Sequence, residues 1–142
     1  MKILLILIFS SLLLMASSDN KYQVRIIEKI FNEISIDKEL KIWSDNKSIQ
    51  KTLKENNNFS TVKNIEDANI VILRYAAEAN NISSNQFIFV LNYKLLSTVP
   101  RSFGALFWKK GRPNIVIIEP RIALQNISIS KDLEPYLEEK VW

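Results

Sequence analysis

The chain has no cysteine and no histidine among its 142 residues, and only two glycines and four prolines. Each shortage removes a class of explanation. Without cysteine there is no disulfide, no thiol nucleophile and no lipid-modified N-terminal anchor, so an oxidising compartment is tolerated but stability must come from apolar packing. Without histidine the commonest general base and the commonest transition-metal ligand are gone. Gly104 and Gly111 alone cannot build a G-x-G-x-x-G turn or a P-loop, and no G-x-S-x-G elbow is present. The acidic pairs Glu66 with Asp67 and Glu138 with Glu139 are adjacent in sequence, which points them to different sides of their elements and offers no general-acid geometry. The chain is therefore expected not to be an enzyme, with no catalytic residue, no metal and no cofactor.

Acid is also missing from one long stretch. Between Glu78 and Glu119 there is none, while Lys94, Arg101, Lys109, Lys110 and Arg112 all fall there; the C-terminal end reverses the sign with Asp132, Glu134, Glu138 and Glu139. Net charge is only +4. Segregation of this kind bears on partners rather than on fold, and the small total argues against nucleic acid.

What is present begins with MKILLILIFSSLLLMASS, in which Lys2 precedes an apolar run from Ile3 to Met15 and then Ala16, Ser17 and Ser18. That order is the charged, apolar and small-residue pattern of a secretory signal, and the run falls short of the about 20 residues a membrane span needs. The expectation is a signal peptide over residues 1–18 and one exported periplasmic domain over residues 19–142, with no membrane span once the signal is cleaved. Neither an internal repeat nor a Pro/Gly/Ser linker divides that unit.

Hydrophobic spacing then lays out the elements. Val24, Ile27, Ile30, Phe31 and Ile34 recur at helical spacing over residues 22–35. LKIWS reads as a strand, Asp45 or Asn46 as the cap of a helix holding Ile49 and Leu53, and FSTVKN as a further strand. NIVILR and QFIFVL are apolar without alternation, as strands buried on both faces are. NYKLLSTVP reads as a short helix ended by Pro100. FGALFW and NIVII should pair as an antiparallel hairpin around KKGRP, with Gly111 supplying the positive φ of a tight turn and Pro113 opening the return strand. Pro120 then opens a short helix, and Asp132 is expected to cap a last one that holds Pro135 in its first turn. Together these predict an α/β domain, a mixed β-sheet with helices on both faces and a C-terminal β-hairpin followed by helices.

The hairpin tip is the candidate site. Trp108, Lys109, Lys110 and Arg112 form an aromatic and cationic point suited to partner binding, because Trp and Arg often anchor interfaces and Arg112 can grip a carboxylate at two points. The plainer interpretation of the same residues is a soluble turn whose lysines deter strand pairing. A second candidate is an anion-binding cleft at the strand ends using Arg74, Tyr75 and Arg101, since open α/β sheets place ligands there.

The succession KIWSDNKSIQKTLKEN, EDANIVIL, FIFVL, a glycine-containing strand and NIVIIEPRIALQNISISKDL resembles the YfiR-like periplasmic proteins. The likeness spans nearly all of residues 19–142, with Ile115 to Ile118, Ile122 to Leu124 and Ile127 to Leu133 standing at the family's late strand, short helix and I-x-I-S-x-x-L pattern. It implies a small non-enzymatic periplasmic regulator that binds the sensory domain of an inner-membrane signalling protein, a diguanylate cyclase or a sensor kinase. Family members often carry redox-linked cysteines, and this chain has none, so no redox switch comes with the likeness. The family's aromatic-Pro pair after the first helix is also missing. A sheet edge or paired helices could support a homodimer, and the alternative function is small-molecule anion binding.

Overall fold

Helix α1 occupies residues 20–32, and its stripe of Val24, Ile27, Ile30 and Phe31 is buried as the spacing requires. The structure is a computed structural model describing residues 20–142, so the expected signal peptide over residues 1–18 lies outside the described residues. The helix ends earlier than its periodicity predicts. Glu33 N–H turns back onto the Ile30 carbonyl at 3.1 Å, and Ile34 enters a strand instead, β1 (Ile34–Ser35), paired antiparallel with β8 (Ser128–Ile129). Ile34 is still buried in the same core. The ribbon joins the two ends of the domain: Ser130 N–H donates to the Glu33 carbonyl at 2.9 Å, and the Ser130 hydroxyl donates to the Glu33 carboxylate.

The main sheet contains β2 (Lys41–Ser44), β3 (Ser60–Thr61), β4 (Ile70–Leu73), β5 (Phe87–Val90), β6 (Ser102–Lys109), β7 (Arg112–Ile118) and β9 (Leu137–Glu138), in the order β3-β2-β4-β5-β6-β7-β9. Strands β2 to β6 run parallel, β7 is antiparallel to β6, and β9 is parallel to β7. The predicted mixed α/β sheet is therefore present. FSTVKN contributes only two residues of strand.

Two layers cover this sheet. On the first face α1 and α2 (Lys47–Asn56) enclose Ile42, Ile70, Ile72, Phe89, Phe103 and Ile117, with Ile49 and Leu53 of α2 pointing inward. Asn46 rather than Asp45 caps α2, its side-chain oxygen accepting Ile49 N–H at 3.1 Å. Phe31, Phe89 and Phe103 meet ring to ring at 5.5 and 5.6 Å. The second face is closed by α3 (Leu95–Thr98) and by 3-10 turns at Ile65–Asp67 and Ala79–Asn81, over Val71, Leu73, Ile88, Val90 and Ala105. Helix α4 (Glu119–Leu124) follows the hairpin, with proline in its first turn as expected. The final segment, Lys131–Tyr136, is a 3-10 helix capped by Ser130, whose hydroxyl accepts Asp132 N–H at 3.3 Å. Asp132 is thus not the cap, and Pro135 lies inside the segment.

Two features of this topology position the sites. From β2 the chain crosses the first face through α2 to β3, then returns by way of the second face to β4 on the other side of β2. The winding direction reverses there, and a concavity lies at the carboxyl end of β2 beside α2. The hairpin is held tightly: a Cβ on Gly104 would lie 2.7 Å from the Val116 carbonyl oxygen, so only glycine lets β6 and β7 approach. Among the described residues no helix is long and apolar enough to cross a membrane.

Candidate functional site

The hairpin turns on two residues. Lys109 pairs with Arg112 across it, and Lys110 and Gly111 have φ of 53° and 74°, the double left-handed conformation of a two-residue turn that matches strand twist. Burial fades along β6, from Leu106, which is fully enclosed, through half-buried Phe107 to exposed Trp108 and Lys109. The tip is therefore raised clear of the core, and Lys109, Lys110 and Arg112 line a shallow concavity with Asn114. The only ion pair among the described residues is Lys51 with Glu55, so none of these three cations is internally neutralised there.

Trp108 is 42% exposed and meets Tyr22 of α1 edge to face, ring centroids 6.4 Å apart. Beyond Tyr22 lies a groove of about 650 Å³ between α1, the start of β7 and the Lys131–Tyr136 segment. Its apolar lining is Tyr22, Ile26, Ile30, Ile115, Leu133 and Tyr136, and Lys29, Glu33, Asn114 and Asp132 form its polar part. Tyr22 and Tyr136 are themselves 46% and 40% exposed. The groove exists because β9 pairs with Ile117 and Ile118 only, leaving the outer edge of β7 from Arg112 to Val116 without a strand partner among the described residues. Pro113, which has no N–H, and the flanking cations guard that edge against pairing with another strand. Sequence reasoning found the tip and missed the groove, because Tyr22 and Ile26 belong to a helix whose buried stripe lies elsewhere and Tyr136 reaches it through long-range pairings, β1 with β8 and β9 with β7.

The second expected cluster does not assemble. Arg74 follows the carboxyl end of β4, whereas Arg101 precedes β6; in a parallel arrangement those positions sit at opposite ends of the strands. Arg101 is moreover spent on structure, its guanidinium donating to the carbonyls of Ser83, Ser84 and Gln86 at 3.0, 3.0 and 2.7 Å. Arg74 Nη2 donates to Gln23 Oε1 at 3.1 Å, while its buried Nε has no partner among the described residues. Tyr75 is exposed beside it, its N–H held by Asp45. Asp45 accepts the N–H groups of Arg74 at 2.8 Å and Tyr75 at 2.9 Å. Burial pushes its carboxyl above the usual 3.8, against the pull of those two hydrogen bonds and the Arg74 charge, and Glu78 adds to the rise. Arg121, which the sequence did not single out, is another clip: Nη1 donates to the carbonyls of Leu96 and Ser102 at 2.8 and 3.0 Å, and burial lowers its pKa.

Comparison with known proteins finds no match to this chain, whether among family models, curated proteins or solved structures. The likeness to the YfiR-like proteins thus rests on the residues quoted for it.

Proposed function

We propose that this protein is a non-enzymatic periplasmic accessory factor that docks through its hairpin tip and the adjoining groove. The observation that carries the reading is a concentration of exposed aromatic rings. Of the six large hydrophobic side chains exposed among the described residues, Tyr22 and Tyr136 line one groove and Trp108 packs against Tyr22 beside it; Lys109, Lys110 and Arg112, without an ion-pair partner among the described residues, line a neighbouring concavity that shares Asn114 with the groove. Aromatic anchors beside a charged rim are what a protein interface concentrates. The partner inferred from this chemistry has apolar side chains to fill the groove and carboxylates to meet Lys109, Lys110 and Arg112. The YfiR-like resemblance supports the sensory domain of an inner-membrane diguanylate cyclase or sensor kinase as that partner.

The test is co-purification from membranes in mild detergent, with the wild-type chain and the Lys109→Ser/Lys110→Ser/Arg112→Ser variant compared by mass spectrometry. The reading expects a membrane signalling protein with the wild type and its loss, more severe at higher salt, with the triple variant. Recovery of the chain alone, or retention of the same partner at unchanged affinity by a folded triple variant, refutes it.

A further inference from the structure

We propose that the crevice at the carboxyl end of β2 binds a small soluble polyanion of the phosphate-ester or pyrophosphate class, at a site separate from the docking surface. The cavity measures about 520 Å³ and is bounded by Trp43, by Lys47, Lys51 and Lys54 of α2, and by Lys63 beyond β3. It lies at the carboxyl end of β2, beside α2, and open α/β sheets accept ligands outside the carboxyl ends of their strands. Its size falls in the range of small-molecule sites.

The arrangement of charge has no internal explanation. Lys47, Lys51 and Lys54 occupy one stripe of α2 at i, i+4 and i+7, where neighbouring like charges repel. Among the described residues only Lys51 of these has an ion-pair partner, Glu55 at 4.0 Å, and both of those side chains are well exposed. The two acids that reach the cavity are already engaged. Both oxygens of Asp45 accept backbone N–H groups, and Glu78 Oε2 accepts from Asn81 Nδ2 at 2.8 Å. Those hydrogen bonds fix the two carboxylates in place without removing their charge, and four lysines against two acids leave the crevice net positive. The wall between the lysines is fixed as well, because Gln50 closes the end of the sheet, accepting Ser44 N–H at 2.9 Å and donating to the Val62 carbonyl at 2.8 Å.

This donor set also selects the ligand. Lysine presents a mobile point charge rather than the planar fork that suits a single carboxylate. Four ammonium groups around one cavity are best satisfied by an anion carrying several charges on separate oxygens. A monocarboxylate would leave most of the repulsion in place.

The test is isothermal titration of the full chain with pyrophosphate at low salt, run beside flotation on phosphatidylcholine vesicles containing about one quarter phosphatidylglycerol. Lys51→Gln/Lys54→Gln keeps good helix formers on an exposed stripe, and Lys38→Gln/Lys131→Gln removes the same charge from outside the crevice. Expected are saturable pyrophosphate binding, a rise in Kd of about tenfold in the crevice variant and a change within about twofold in the control. Absence of saturable binding, equal weakening by both variants, or attachment to the vesicles without pyrophosphate binding would each overturn the proposal.

Discussion

Trp108→Ala separates a docking residue from a core residue by magnitude. A fully enclosed tryptophan buries about 200 Å². Trp108, 42% exposed at the end of β6, covers a little over half of its surface. At about 25 cal/mol/Å² the ceiling on its packing contribution is about 3 kcal/mol, and compactness of the unfolded chain together with the Cβ that alanine retains lowers the expected cost to about 1–2 kcal/mol. Phe103→Ala is the internal standard. Phe103 is fully enclosed and packs on Phe89 at 5.6 Å, so its truncation should cost about 3–5 kcal/mol. Urea unfolding followed by circular dichroism measures both. The docking reading then requires the folded Trp108→Ala protein to lose about 2 kcal/mol or more in partner affinity, roughly thirtyfold. If Trp108→Ala lost as much stability as Phe103→Ala, Trp108 would be closing the core, and the aromatic cluster around Tyr22 would be packing rather than recognition.

Other substitutions probe the frame around the two sites. Gly104→Ala places a Cβ 2.7 Å from the Val116 carbonyl oxygen and 2.9 Å from Ile117 Cδ1, so β6 and β7 must part; a loss of about 2 kcal/mol or more is expected in urea titration. Lys110→Gly should gain about 1 kcal/mol by relieving a left-handed φ of 53° at a non-glycine residue, and a destabilised variant would contradict the turn geometry. The Lys109→Ser/Lys110→Ser/Arg112→Ser variant should unfold within about 0.5 kcal/mol of the wild type, since all three positions are exposed. Asp45 gives a pH test. Because burial raises its carboxyl above 3.8, the folded state binds that proton more tightly than the unfolded state. Its contribution to stability is therefore greatest at low pH and falls as pH rises from 3.8 through the higher folded value. Wild-type stability minus that of Asp45→Asn should decline with rising pH across that window, and a difference that grew instead would contradict the burial argument.

Legibility of the sequence followed the range of the interactions involved. NIVILR and QFIFVL could be read as strands buried on both faces because an unbroken apolar run needs only its own composition to exclude a half-exposed strand. KKGRP could be read as a turn because positive φ is a local demand that glycine meets. What escaped was set by contacts distant in the chain. Ile34 has the spacing of a helical residue, yet its backbone pairs with Ile129, and no local pattern distinguishes the two outcomes when the side chain is buried in either. The groove beside Tyr22 escaped for the same reason, since its walls come from α1, β7 and the Lys131–Tyr136 segment. Arg101 was misplaced because no local pattern shows that β6 runs parallel to β4, which sets the start of β6 at the far end of the sheet from the end of β4.

The fate of the cations decides where recognition can occur. Arg101, Arg121 and Arg74 lie within or beside the acid-free stretch of the chain and would rank high on charge alone, but their guanidinium groups are directed to carbonyl oxygens or to Gln23. An arginine already donating to three backbone oxygens has little left with which to hold a carboxylate, and removing it would unfasten loops before it weakened a partner. Lys109, Lys110 and Arg112 differ because the hairpin lifts them away from every acid among the described residues, and Lys47, Lys54 and Lys63 because none of them has an ion-pair partner there and the lysines of their crevice outnumber its two acids. Both surfaces therefore have charge that folding does not consume. They differ in what surrounds it. Beside the tip the neighbours are aromatic rings along a groove, which suits a protein surface; around the crevice they are four lysines about a volume of small-molecule size. Neutralising one group should accordingly leave binding at the other intact, and a single variant that abolished both would show that the two sites are coupled through α1 and the sheet.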